Sequence, residues 1–298
     1  MVSDQVIDSY SGILPSEPDL IRLPALNNYL QDGSGICIHK KTGLLTSSFT
    51  LSETDIANYW SSSIFAVRNE DNYTATRPFA QARLYYVALT AIQVFGDHNI
   101  PVESVCDFAT GESVFPDILS RLASFDICVT ETSPSLRDLA VYKGYEAHDV
   151  TFGEAHSSTF MVDAAFLTWT LCNCRNPLGA VQTVVKHVKP GGCVVIADSS
   201  RIMVPFKKSL SDLLTKDHPI DIHPYFFSIN TLRGVAELAG LQFLFSNRYR
   251  DSDVMMAIFR KPIEPIAPTH IPGDDPMQVM EFVNYYHQYS EFFTQLSC

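Results

Sequence analysis

The sequence predicts an α/β protein: a mostly parallel sheet with helices on both faces, an antiparallel last strand and an N-terminal cap. Three observations support this. From residue 102 onward, short apolar runs alternate with helical stretches of about 10–15 residues, the pattern of βαβ units. The last two strand candidates lie close together, as in an antiparallel hairpin. The chain has 298 residues, 46% of them hydrophobic and 18% charged. That length buries about three quarters of the unfolded surface without a disulfide or metal staple.

The elements follow in order. Residues 1–35 are punctuated by Pro15, Pro18, Pro24 and the run Asp32-Gly33-Ser34-Gly35, and show no regular pattern. Ile36–Ile38 and Leu44–Leu45 read as a short hairpin. Ser52-Glu53-Thr54-Asp55 places a carboxylate three residues after a hydroxyl, a capping box that starts a helix. Phe79, Leu84, Val87, Ala88, Ala91 and Phe95 fall mostly on one face of a helix over 78–96. Strands are then expected at Val102–Phe108, Asp126–Thr130, Ala164–Leu171 and Gly192–Asp198. Helices are expected at Val114–Ala123, Ser135–Gly144, Pro177–Val188 and Thr231–Gly240. Leu241–Tyr249 and Val254–Arg260 form the hairpin, and Asp274–Cys298 reads as a terminal helix. Three units follow: an N-terminal cap over 1–100 that closes on substrate, a main domain over 101–262 and a C-terminal helical extension over 263–298.

The formal net charge is −12, which argues against a nucleic-acid partner. No apolar run approaches the ~18 residues of a membrane span, and the N-terminus lacks a basic-then-apolar leader. The seven cysteines are scattered and form no CxxC pair, as expected of reduced thiols in the cytoplasm. Tyr285, Tyr286, Tyr289, Phe292 and Phe293 read as a packing face and a candidate homodimer contact.

Three segments stand out chemically. In Asp107-Phe108-Ala109-Thr110-Gly111-Glu112-Ser113 a strand ends in an acid, and a loop of small residues leads into a helix N-terminus. Small residues let a ligand approach the backbone, and the helix offers free N–H groups. Glu131 ends the next strand, 24 residues after Asp107. In doubly wound folds an acid there accepts hydrogen bonds from ribose hydroxyls, so the pair points to a nucleoside ligand. Val188-Lys189-Pro190-Gly191-Gly192 connects a helix to a buried strand. The G-x-G-x-x-G of NAD enzymes is missing from the loop.

This order, ending in "VKPGGCVVIAD", resembles the class I S-adenosylmethionine-dependent methyltransferases and their Rossmann-like sheet. The family loop is typically D-x-G-x-G-x-G; here Ala109 and Ser113 stand in for two of its glycines. The resemblance implies that Asp107, Ala109 and Gly111 pass the cofactor's methionine part. Glu131 would hold the ribose, with Thr132 beside it in the cofactor set, and Asp149 and Val150 would contact adenine. Thr168, within the Ala164–Leu171 strand, completes the cofactor set. The cofactor expected is S-adenosylmethionine.

Further segments are similar to a bacterial subgroup that methylates sugars and other small molecules. "GICIHKKTGLLTSSFTLSETDIANYW" resembles its N-terminal zinc ribbon in degenerate form: the CxxC positions fall on His39 and Thr42. Tetrahedral zinc needs four suitable ligands, so no metal is expected. "TWTLCNCRNPLGAVQTVVKHVKPGG" resembles the subgroup's segment of leucine, glutamate, histidine, two residues and proline. The matching residues are Leu171, Cys172, Asn173 and Pro177, so the Glu-His pair is absent. "DIHPYFFSINTLRGVAELAGLQFLFSNRY" is similar to the segment before the last helix, with Ser228 as cap and His223 in the preceding loop.

The implied activity is methyl transfer to a hydroxyl of a small, sugar-derived metabolite. His223 is the candidate base; Tyr225 and Asn173 are the further catalytic candidates, Asn173 by orienting the substrate through hydrogen bonds. Tyr73 and Arg83 are candidates to close on the substrate. The alternative is a non-catalytic binding scaffold, which the lost glycines, Glu-His pair and ribbon cysteines would fit.

Overall fold

The computed structural model describes residues 8, 10–11, 19–24, 26, 35–47, 52, 54–56, 58–59, 78–154, 159–198, 223–248, 254–268 and 270–296. Two sheets organise them. The larger contains β4 (Ser104–Phe108), β5 (Asp126–Thr130), β6 (Glu146–His148), β7 (Val162–Thr168), β8 (Val188–Asp198), β10 (Gln242–Ser246) and β11 (Met255–Arg260). Its spatial order is β10-β11-β8-β7-β4-β5-β6. The five strands from β8 to β6 are parallel, and β11 and β10 run antiparallel to their neighbours. This is the mostly parallel, Rossmann-like sheet expected, with its antiparallel hairpin.

Both faces are covered. Helices α1 (Pro78–Asp97) and α2 (Val114–Leu122) pack on one side, where Leu84, Val87, Ala91, Phe115 and Leu119 meet Phe166, Val195 and Ile258. On the other side, α4 (Pro177–Lys186) and α5 (Ile229–Leu238) bring Val181, Val184, Leu232 and Val235 against Leu167, Val194, Ile196 and Phe259. Central strands apolar on both faces are what a sheet covered twice requires. Phe79 departs from the helical stripe: it is 62% exposed, one turn before the buried run begins. Helix α3 (Pro134–Tyr142) links β5 to β6.

The smaller sheet joins β1 (Leu20–Arg22), β2 (Ile36–His39), β3 (Leu45–Ser47) and β9 (Tyr225–Phe226), all antiparallel. The predicted hairpin is therefore present. β9 begins two residues after His223 and ties this sheet to the segment entering α5. Val279, Val283 and Tyr286 of α6 (Pro276–Leu296) pack with Leu23, Ile36, Ile38, Leu45 and Phe226. Tyr286 thus belongs to a packing face, whereas Tyr285 and Phe292 are exposed. Asp274 locks the arrangement: its N–H donates to Thr42 O, and its carboxylate receives Ser228 Oγ and Asn230 Nδ2.

Local signals account for most boundaries. Ser52 and Asp55 exchange the reciprocal bonds of a capping box. Ser228 caps α5 with Thr231 as its partner. Two features differ from expectation. β6 is only three residues, Glu-Ala-His, too short and polar to show a strand pattern. Pro190-Gly191-Gly192 lies within β8, at a register shift opposite Val162–Ala164. A Cβ on Gly192 would sit 2.4 Å from Asp163 O, so that bulge needs glycine.

Cys37 and His39 are buried on β2, and burial lowers the His39 imidazole to about 4. Among the described residues no cluster of three or more His, Cys, Asp or Glu could hold a metal. No described helix is long and apolar enough to cross a membrane.

Candidate active site

Strand order reverses at β4, which has β5 on one side and β7 on the other. In open α/β sheets ligands bind outside the carboxyl ends at such a switch point. Asp107, Glu131, Asp149, Thr168 and Asp198 all lie at or just beyond these ends.

The loop after β4 keeps the backbone of a glycine loop although two of its glycines are replaced. Ala109, Gly111 and Ser113, two residues apart, have φ of 55°, 57° and 55°. A side chain in this left-handed region costs roughly 1–2 kcal/mol. Such strain concentrates where a backbone shape is needed. The loop is held from β5: Ala109 N–H donates to Thr130 Oγ1 at 3.2 Å and Thr110 N–H to Thr130 O at 3.0 Å.

Asp107 is 1% exposed, and among the described residues neither of its carboxylate oxygens makes a well-formed hydrogen bond, although the buried Thr110 hydroxyl lies near; the Ser113 hydroxyl is buried and unbonded there as well. Burial pushes the Asp107 carboxyl up to about 7; Thr110 opposes the rise and the charge of Glu131 adds to it. Unsatisfied groups of this kind are costly in a folded interior unless a ligand meets them. Among the described residues nothing lies within 4 Å of where a Gly111 Cβ would be, so the loop face is open there. Buried acceptors beside exposed backbone fit a ligand rich in ammonium and hydroxyl donors, as S-adenosylmethionine is.

Glu131 braces this loop. Oε2 receives Gly111 N–H at 2.9 Å and Oε1 receives Ser133 N–H at 3.0 Å. Thr132 is exposed at the same edge. Arg137, which the sequence reading missed, donates to the carbonyls of Glu131 and Thr132 and pairs with Asp149 at 3.2 Å. Val150 is buried in the core below.

The other half of the edge is built from side chains. Past Thr168, Trp169 has φ 54°, and its buried indole N–H makes no hydrogen bond among the described residues. The Arg83 guanidinium lies 5.2 Å from the Trp169 ring and 5.0 Å from Phe79, which brings Arg83 to the end of β7. A short 3-10 turn, Leu171–Asn173, follows. Cys172 N–H donates to Asp198 Oδ2 at 2.8 Å, anchoring the turn to the end of β8. Asn173 Oδ1 sits 2.6 Å from His223 Nδ1, and Cys172 Sγ lies 3.6 Å from the same nitrogen. Asn173 and His223 are thus brought together across 50 residues. Tyr225 is not: it is 1% exposed, stacks on Phe227 and donates its hydroxyl to Arg175 O, a packing role. Tyr73 lies outside the described residues.

A doubly wound sheet with a strained small-residue loop and an acid at the next strand end defines a nucleoside-cofactor enzyme. The family described as Methyltransferase domain matches residues 80–244, more than half of the chain, and the chain belongs to it. No curated protein sequence matches. Among solved structures, an O-methyltransferase family protein from Burkholderia thailandensis is similar at 16% identity and TM-score 0.53. The similarity covers 69% of this chain and 62% of that one, so the chain spans less than two thirds of that relative. The plantazolicin methyltransferase BpumL, solved with S-adenosylhomocysteine, has 12% identity and TM-score 0.51 over 70% of this chain and 95% of its own. The 1,6-didemethyltoxoflavin-N1-methyltransferase of Burkholderia thailandensis has 11% identity and TM-score 0.51, covering 78% and 98%. At these identities the likeness is one of fold. Within this class I family the cofactor is S-adenosylmethionine.

Proposed function

We propose that the chain transfers a methyl group from S-adenosylmethionine to a hydroxyl of a small, sugar-derived metabolite in the cytoplasm. The observation that favours a hydroxyl acceptor is the half-buried His223 imidazole, held by Asn173 at the carboxyl edge beside the end of β7. A neutral imidazole can take a proton that a hydroxyl must lose, whereas an amine can release its proton after transfer. S-adenosylmethionine supplies the methyl group on a sulfonium. The protein's part is alignment, a proximity effect, and removal of the proton.

In this reading Asp107, Ala109 and Gly111 pass the methionine part, Glu131 holds the ribose, Asp149 and Val150 contact adenine, and Thr132 and Thr168 complete the cofactor set. Arg83, with Tyr73, closes on the acceptor. The sugar-derived class and the degenerate ribbon rest on the segment resemblances, and the small acceptor fits the acidic charge. The described cysteines are buried free thiols, which suits a reducing compartment.

The test is calorimetric titration with S-adenosylmethionine, then a screen of hydroxylated metabolites with the methylated atom identified by NMR. A methyl ether product is expected; a methylated nitrogen or carbon would overturn the hydroxyl reading. One observation favours a non-catalytic scaffold: both Glu131 oxygens already accept backbone N–H groups. Each carboxylate oxygen has a second lone pair for a ribose hydroxyl. Absence of binding at millimolar cofactor would decide for the scaffold.

A further inference from the structure

We infer that Asn173 is a positioning residue that fixes which nitrogen of His223 is basic. The inference rests on the reading of His223 as proton acceptor, but it concerns the state of the ring before any reaction. Asn173 closes the 3-10 turn beyond β7, and the turn is pinned twice: Cys172 N–H donates to buried Asp198, and Asn173 N–H donates to Thr170 O at 3.0 Å. The Asn173 side chain is then oriented by its own bonds. Nδ2 donates to Trp169 O at 3.1 Å, which a carbonyl oxygen at that position could not do, so Oδ1 is the atom facing His223.

An amide oxygen only accepts. At 2.6 Å from Oδ1, His223 Nδ1 must therefore carry a hydrogen. A neutral imidazole has one N–H, so the lone pair falls on Nε2. The reverse tautomer would set two lone pairs against each other at that distance. The Cys172 thiol, 3.6 Å from Nδ1, directs its own hydrogen to Asn173 Oδ1 at 3.4 Å and leaves the assignment unchanged. Among the described residues the titratable or charged groups near this contact include Cys172, Asp198, whose Oδ2 accepts Cys172 N–H, Arg175 and Tyr225, whose hydroxyl donates to Arg175 O. Asn173 thus stands where the resembling subgroup has the histidine of its Glu-His pair. Here the amide holds a histidine supplied from the loop before α5.

The ring's tautomer can be read without knowing the acceptor. Long-range proton–nitrogen NMR of the full chain, labelled at histidine and saturated with S-adenosylhomocysteine, reports both ring nitrogens above the histidine titration range, about 6.5 when unperturbed. His223→Gln identifies its signals by their loss. The expected result is Nδ1 protonated and Nε2 bare in the wild type, with Asn173→Ala shifting the ring toward the Nε2–H form. Asn173→Asp keeps an acceptor oxygen, so it should retain the wild-type tautomer. It should also raise the pH midpoint of His223 by about one pH unit through the added charge. A wild-type ring protonated at Nε2, an unchanged tautomer in Asn173→Ala, or an unmoved midpoint in Asn173→Asp would overturn the inference. If the tautomer is as stated but His223→Ala still turns over with a screened acceptor, the general-base reading fails and the ring assignment stands.

Discussion

Beyond β4, β5 and β6 the site edge is made largely of backbone; beyond β7 and β8 it is made of side chains. In the first half, three left-handed residues at 109, 111 and 113 shape the loop, and their N–H groups are held by Thr130, Glu131 and Thr110. In the second, Arg83, Trp169 with Asn173, and His223 arrive from three separate segments. A backbone cradle suits a ligand common to a whole family, because it tolerates changes of side chain that keep the fold. A side-chain pocket can change with the acceptor while the sheet stays the same.

The largest effect should therefore come from the second half and leave the first untouched. His223→Ala should lower turnover by about 10²–10⁴-fold with cofactor affinity nearly unchanged. His223→Gln, which hydrogen-bonds but is not a base in this pH range, should be almost as impaired. Steady-state kinetics with titration calorimetry on each variant checks this. Substantial activity in His223→Gln would show that the ring only orients the acceptor.

The same division explains what was legible in the residues alone. The Asp107–Ser113 loop and Glu131 could be found because small residues, strand ends and spacing express a backbone requirement. The parallel strands could be found because Cys106, Val129, Phe166 and Val195 sit in apolar runs buried on both faces. β6 escaped because Glu-Ala-His is short and sits at the sheet's edge. Trp169 escaped because nothing in a pattern marks a residue that must take φ 54°. Tyr225 was placed beside His223 by sequence proximity, yet strand alternation on β9 turns its hydroxyl to Arg175 instead. The Asn173–His223 contact joins two loops, and no local pattern encodes a distance across 50 residues.

A second effect belongs to the backbone half. The Asp107 carboxyl rises from its ordinary 3.8 to about 7 through burial. An acid with a raised folded value binds its proton more tightly folded than unfolded. Its contribution to stability is therefore full below pH 4 and is lost as pH rises from about 4 to about 7, a difference of up to about 4 kcal/mol. Urea unfolding of the cofactor-free protein should show this fall, and Asp107→Asn, which cannot ionise, should flatten it. Equal pH dependence in the two proteins would mean that Asp107 finds a partner or water in solution.

A smaller loss is expected at Glu131. Removing charge-assisted bonds to a ribose costs about 1.5–3 kcal/mol, roughly 10–150-fold in S-adenosylmethionine affinity. Because Glu131 also braces Gly111 and Ser133, Glu131→Ala should lower the melting temperature of the free protein as well. Glu131→Gln keeps one acceptor oxygen and should fall between. If Glu131→Ala melts earlier yet binds the cofactor as the wild type does, the residue is a brace alone.

The smallest effect tests the strain itself. Ala109 and Ser113 hold a side chain at φ 55°, and Ser113 makes no capping bond to α2, so glycine there forfeits no hydrogen bond. Relief of about 1–2 kcal/mol per residue is offset by the greater freedom of glycine in the unfolded chain, about 0.5–1 kcal/mol. Ala109→Gly and Ser113→Gly should each stabilise the protein, by up to about 1.5 kcal/mol. Gly111→Ala should do the reverse by a similar amount, and only through φ, because a Cβ there meets nothing within 4 Å. Denaturant unfolding of the three variants without cofactor measures this directly. Cofactor titration then separates strain from contact: Gly111→Ala should weaken binding by more than its stability loss, since its methyl occupies the open face. If both glycine variants are less stable than the wild type, the left-handed backbone at 109 and 113 is not strained in solution. The loop would then relax until the cofactor draws it into shape.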